Sequence, residues 1–210
     1  MVSRDVSTFV RAGLPPPPAR VLEVGAGEGA LARELAEAGY DVVAIDPEST
    51  TDDVLPVPLA ALDEPDGSFD AAVAVVSLHH VEPLEPSCAR LAEVLRSGAP
   101  LVIDEFDVAV FDEPAAAWLL EQRHAHGHAV DKTAAELVAE LRAELHPLSA
   151  ITAALAPDFD VGQPRRGSYL YRWDLDDALR PVEERLIAGG ALPAVGARLV
   201  ATRKRRPPRG

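Results

Sequence analysis

The stretch that decides the fold is Val21-Leu22-Glu23-Val24-Gly25-Ala26-Gly27-Glu28-Gly29-Ala30. Its first four residues are apolar apart from Glu23, as in a strand covered on both faces. Gly25, Gly27 and Gly29 then give a turn with no Cβ to obstruct a ligand. From Ala30 the residues Leu31, Leu35 and Ala38 recur at helical spacing. This pattern predicts a strand over 20–25 and a helix over 29–38, stopped by Gly39. A helix N-terminus just past such a turn presents unpaired N–H groups and a positive dipole end. The segment is therefore suited to hold something small and polar at the carboxyl end of a strand.

Downstream, Asp41–Ile45 reads as a second strand ending at Asp46, 21 residues after Gly25, where an acid can accept both hydroxyls of a ribose. Residues 47–66 are proline-rich and acidic, with Val57–Leu62 as a weak strand or turn. Ala71–Val76 is a continuous apolar run, which suits another parallel strand. A helix is expected over 84–96, stopped by Ser97-Gly98, and a buried strand over Leu101–Ile103. This alternation predicts an α/β fold with a doubly wound, mostly parallel sheet. Residues 107–156 are mostly helical in pattern and read as an insertion. Phe159–Val161, Ser168–Trp173 and Leu199–Thr202 read as strands and 176–189 as a helix, predicting added antiparallel strands. Residues 1–14 suit a short amphipathic helix broken by Pro15–Pro18. One domain over 1–203 and a basic, disordered tail over 204–210 are expected.

The 210 residues carry a net charge of −14, which argues against nucleic acid or an anionic membrane as the main partner. The sequence has no apolar run of membrane-spanning length, and the start shows no signal-peptide pattern. Cys88 is the single cysteine, so no intrachain disulfide can form and a reducing, cytoplasmic setting is expected. Cys88 itself reads as a small buried residue rather than a nucleophile.

The glycines fit two patterns. Gly25, Gly27 and Ala30 satisfy the dinucleotide spacing G-x-G-x-x-G/A. Glu23, Gly25, Gly27 and Gly29 satisfy acid-x-G-x-G-x-G, which resembles motif I of the class I S-adenosylmethionine-dependent methyltransferases. Three further segments resemble that family in order and spacing: Asp46, then Asp66-Gly67-Ser68-Phe69-Asp70 with the apolar run and Ser77-Leu78-His79-His80-Val81, then Leu91 through Ile103. The resemblance covers about 21–106. It implies a Rossmann-like, seven-stranded sheet whose last strand is antiparallel, with S-adenosylmethionine across the carboxyl ends of the first two strands. It further implies cofactor contacts from Glu23, Gly25, Ala26, Gly27, Gly29, Asp46, Pro47 and Ser77. Asp63 best matches the acid that the family places after its third strand to receive the adenine amino group. The activity implied is methyl transfer to an oxygen or nitrogen of a small molecule. An NAD(P)-dependent oxidoreductase and a non-catalytic cofactor-binding protein of the same fold are the alternatives.

His79 and His80 fall where the methyl-transfer centre is expected, and a near-neutral imidazole there can serve as general base. The plainer reading is that one histidine packs and the other caps. His124, His126 and His128 alternate, which on an extended chain gathers three imidazoles on one side. The expectation adopted is metal-free: residues 107–156 form a lid in which Trp118, His124 and His128 contact the substrate. Methyl transfer from an activated sulfonium needs a shaped pocket more than a Lewis acid.

Overall fold

Seven strands form one sheet in the computed structural model, which describes residues 4–205. The strands are β1 (Arg20–Val24), β2 (Asp41–Ile45), β3 (Ala71–Val75), β4 (Pro100–Phe106), β5 (Phe159–Val161), β6 (Arg165–Gly167) and β7 (Gly196–Arg203). The helices are α1 (Arg4–Gly13), α2 (Ala30–Glu37), α3 (Leu84–Val94), α4 (Glu113–Ala125), α5 (Ala134–Glu144), α6 (Leu148–Leu155) and α7 (Arg180–Ala188). The order across the sheet is β2-β1-β3-β4-β7-β5, with β6 also pairing β7. β1 to β4 run parallel, and β7 is antiparallel to its three neighbours.

Side-chain alternation sorts the core onto the two faces of the sheet. Leu22, Val24, Ala72, Ala74, Leu101 and Ile103 pack with α3 and α6. Val21, Ala71, Val73 and Val102 pack with Val6 and Val10 of α1 and Leu31 and Leu35 of α2. Each fully buried Leu or Val contributes about 1.5–3 kcal/mol, so both faces of the parallel strands are locked. A further core joins Phe106 and Phe111 to α4 (Ala115, Ala116, Leu119), α5 (Val138), Leu170 and Val195. Within the expected insertion, α4 and α5 join this core after β4, whereas α6 packs on the sheet with α3.

The proline-rich segment after β2 makes only one parallel bridge, Ile45 with Leu55, because Pro56 and Pro58 lack ladder donors. Asp70 lies at the opposite edge of the sheet from the glycine loop. It accepts the Arg20 amide at 2.8 Å and pairs with Arg96, fixing where β1 begins.

One expected strand is not formed. Across Ser168–Trp173 the chain instead makes a 3₁₀ turn over Leu170–Arg172, and the nearby strand is β6. The fully buried Glu183 carboxylate of α7 takes the amides of Tyr169 (2.7 Å), Leu170 (3.0 Å) and Tyr171 (2.9 Å). With those three donors committed to one side chain, no ladder can use them. At the other end, the Lys204 amide bonds to Asp158 O at 2.9 Å, so regular backbone pairing runs one residue into the expected tail. Residues 206–210 of that tail lie outside the described residues, as do residues 1–3 of the expected first helix.

Candidate functional site

The glycine loop is bent back over the end of β2. The amides of Gly25 and Ala26 both donate to Ile45 O, at 2.9 and 3.0 Å. The Gly27 amide donates to Asp46 Oδ2 at 2.8 Å, and the Glu48 amide to Asp46 Oδ1 at 2.9 Å. Each carboxylate oxygen of Asp46 keeps acceptor capacity for a ligand hydroxyl, since a carboxylate offers about four lone-pair sites. Gly25 and Gly27 have φ of +68° and +54°, a region that L side chains rarely adopt. They differ in surroundings. A Cβ on Gly25 would lie 2.2 Å from Ser77 Cβ, whereas one on Gly27 would meet nothing within 4 Å. Gly25 is glycine because β1 and the turn after β3 touch there; Gly27 faces open space.

A cavity of about 540 Å³ opens beside the loop; Gly25 lines it, whereas Ala26, Gly27 and Gly29 do not. Val24, Gly25, Asp46, Pro47, Ser77 and His80 line it. Ile45, Val57, Leu59 and Val81 give it an apolar wall, and Glu48 and Glu82 add acid. Sequence reasoning thus brought together Gly25, Asp46, Pro47, Ser77 and His80. Glu23 lies beneath the loop rather than in the cavity lining. It is 4% exposed and one oxygen, Oε2, has no hydrogen-bond partner. Burial pushes its pKa up to about 8, against smaller opposing effects from the Ala32 amide and Arg33. An orphaned buried carboxyl oxygen next to a glycine loop is a group left to meet a hydrogen-bond partner.

The turn after β3 is held by a residue that the sequence did not single out. Glu105, fully buried near the end of β4, accepts the amides of Ser77 (3.0 Å) and Leu78 (2.7 Å) on Oε1. Its Oε2 accepts the Phe106 amide at 3.1 Å and lies 2.5 Å from His79 Nδ1. Ser77 Oγ donates to Val24 O at 2.7 Å, tying this turn to β1. Val76, at the hinge, has φ +54°, costly for a β-branched residue and here enforced by the bonds on either side. The acidic pair Asp104-Glu105 closing an apolar strand was the available signal, because a carboxylate there needs buried partners.

His79 is buried against Phe106, with ring centroids 6.4 Å apart, and His80 stacks obliquely on it at 4.3 Å. His80 is exposed and lines the cavity. Its pKa is lowered, by partial burial of the ring first and by the neighbouring His79 second, which favours the neutral ring.

Other expected residues are not gathered here. Asp63 is exposed and lines no part of the cavity. Its neighbours are pinned elsewhere: Arg90 bonds to Leu62 O and Glu64 O, and Glu64 pairs with Arg20 at the start of β1. No residue of 107–156 lines the cavity either. Trp118 is half-buried against the α4–α5 core. His124 is exposed in the last turn of α4, His126 caps that helix with Nδ1 2.7 Å from Gln122 O, and His128 follows Gly127. The helix splays the imidazoles that alternation on an extended chain would have aligned. Among the described residues no group of three or more His, Cys, Asp or Glu side chains is placed to hold a metal ion. No described helix is long and apolar enough to cross a membrane.

A family model described as "Methyltransferase domain" matches residues 3–142. An uncharacterised methyltransferase of Mycobacterium tuberculosis is 39% identical over 98 residues, which cover 42% of this chain and 40% of that protein. The matched region thus spans under half the length of that relative. Among solved structures, an S-adenosylmethionine-dependent methyltransferase from Mesorhizobium loti superposes with a TM-score of 0.60 at 18% identity, over 92% of this chain and 95% of that one. The 1,6-didemethyltoxoflavin-N1-methyltransferase of Burkholderia thailandensis, solved with 1,6-didemethyltoxoflavin and S-adenosylhomocysteine, gives 0.53 at 20% identity, over 96% and 78%. The nicotinamide alternative keeps only the spacing of Gly25, Gly27 and Ala30. With the family model spanning most of its length and the sheet order in agreement, the chain belongs to the methyltransferase domain family and has the fold of the S-adenosylmethionine-dependent methyltransferases.

Proposed function

We propose that this protein transfers a methyl group from S-adenosylmethionine to an oxygen or nitrogen atom of a small molecule. The observation that carries the reading is a cavity of about 540 Å³ lined by Gly25 and by Asp46, whose carboxylate also holds the Gly27 amide of the glycine loop. The site's donor set fits the cofactor. Asp46 would accept the ribose hydroxyls, and the wall of Ile45, Val57, Leu59 and Val81 would cover a flat base. When bound, S-adenosylmethionine supplies a methyl group already activated on a sulfonium. The acids Glu48 and Glu82 suit a cationic ligand through their charge.

The protein's share is then positioning and, for an oxygen or nitrogen nucleophile, removal of one proton. His80 suits the second task better than His79, because it reaches the cavity and its lowered pKa leaves a lone pair free. His79 has Nδ1 committed to Glu105 and acts as the packed base of the turn. Trp118, His124 and His128 are not retained as substrate contacts. The 540 Å³ size and the net charge of −14 favour a small acceptor over nucleic acid.

Calorimetry with S-adenosylhomocysteine tests the reading. Two charge-assisted hydrogen bonds to Asp46 are worth about 1.5–3 kcal/mol in total, so Asp46→Ala should bind about tenfold to a hundredfold more weakly. Equal affinity in a folded Asp46→Ala protein refutes the placement, and binding of NADH in preference refutes the cofactor.

A further inference from the structure

We propose that a second cavity, on the α1 face of the sheet, binds a small multivalent oxyanion, a metabolite bearing phosphate or several carboxylates. The cavity is about 470 Å³ and shares no lining residue with the cofactor cavity. Arg165, Arg166, Arg172, Arg180 and Arg198 line it, five of the 20 basic residues of a chain with 34 acidic ones. Such convergence runs against the charge of the molecule as a whole. Register explains how it is built. Asp104 of β4 stands opposite Arg198 of β7, which stands opposite Arg165 of β6, so the three share one face of the sheet.

The acids present do not use up the donors. Asp104 takes Arg172 Nη1 and Arg198 Nε, each at 2.6 Å. Asp5 takes Arg198 at 2.7 Å and Arg180 at 3.3 Å, and Glu184 takes Arg180 Nε at 2.8 Å. Arg166 pairs with Asp107 outside the lining at 2.7 Å. Arg165 has no ionic partner among the described residues. Arg166 alternates to the other face of β6, so four guanidinium groups, of Arg165, Arg172, Arg180 and Arg198, face three lining carboxylates, Asp5, Asp104 and Glu184, an excess of one positive charge. Each guanidinium carries five N–H donors in a fork that matches carboxylate and phosphate edges. Buried Asp104 serves to orient Arg172 and Arg198, so the donor surface is preformed. Phe9 and Ile187 add apolar wall for the rest of a small molecule. A polyanion is disfavoured, because a net charge of −14 repels it beyond the cavity mouth.

This proposal does not rest on the methyltransferase reading, and the test separates the two. Calorimetric titration of the full chain with citrate and with pyrophosphate should give a 1:1 site of about 1 mM affinity or tighter for at least one of them. The better binder identifies carboxylate or phosphate as the recognised group. Affinity should fall as salt is raised. Arg165 is exposed and unpaired, so Arg165→Ala should keep the fold and weaken that binding about tenfold, and Arg165→Glu should weaken it further. S-adenosylhomocysteine binding should be the same in both variants. No binding tighter than about 1 mM by either anion, or binding that survives Arg165→Glu unchanged, overturns the proposal.

Discussion

Replacing Glu105 by Gln swaps one acceptor oxygen for a donor NH₂ at a site where four donors converge. The carboxylate now serves the Ser77, Leu78 and Phe106 amides and His79 Nδ1. With the amide oxygen on Ser77 and Leu78, the NH₂ faces Phe106 N–H and the histidine. His79 can present a lone pair at Nδ1 by changing tautomer, but the Phe106 amide is then left without an acceptor. A buried unsatisfied donor costs about 1–3 kcal/mol, and losing charge assistance at two amides about 1 kcal/mol each. The total is about 3–5 kcal/mol, in the range for breaking a buried ion pair. Urea unfolding monitored by circular dichroism should show the midpoint falling at constant slope, with Tm lower by about 2–4 °C per kcal/mol. Glu105→Ala, which leaves all four donors without an acceptor, should cost at least as much. A loss below about 1 kcal/mol for Glu105→Gln at unchanged slope would refute the idea that this carboxylate holds the 77–80 turn.

Gly25→Ala should be the more damaging of two glycine changes, because its Cβ would meet Ser77 Cβ at 2.2 Å, while Gly27→Ala should cost stability only about 1 kcal/mol for its φ; denaturation curves rank them, and both should abolish S-adenosylhomocysteine binding by calorimetry. Glu23, with its pKa raised to about 8, keeps a proton in the folded state that the unfolded chain has released above about pH 4.5, so stability should fall with rising pH across that window by up to about 1.4 kcal/mol per unit. Glu23→Gln should remove that slope, and an unchanged pH profile refutes the assignment. Cys88, 1% exposed with its thiol pKa pushed up to about 12, should resist thiol reagents until the protein is unfolded, as a colorimetric thiol titration with and without urea will read.

The legible parts of this molecule were those set by local backbone rules. Glycines at positive φ, an apolar run of strand length and an acid at a strand end located Gly25, Gly27 and Asp46 without any tertiary knowledge. Residues whose role depends on distant amides escaped. Glu105 takes two and Glu183 three backbone N–H groups from turns folded against them. Tyr169, Tyr171 and Trp173 alternate as a strand would, yet Glu183 had already claimed the donors such a strand needs. Asp63 matches the family's adenine-binding acid in order along the chain, and Arg90 and Arg20 bond to the residues that flank it, which like Asp63 do not line the cavity. The three histidines would gather only on an extended chain, whereas the Asp112 side chain caps α4 through the Ala115 amide and the helix runs on to Ala125.

The antiparallel strand β7 bears on how the protein is made. It pairs with β4, β5 and β6 at once, and Ile103 meets Leu199 across a separation of 199 − 103 = 96 positions along the chain. During synthesis the parallel strands β2-β1-β3-β4 can assemble first, but the outer side of β4 then presents unpaired backbone groups until residue 203 has emerged. An open strand edge of that kind is where nascent chains stick to one another. The long separation also slows its closure. A chaperone that shields extended backbone would therefore act on this protein mostly between completion of β4 and arrival of β7.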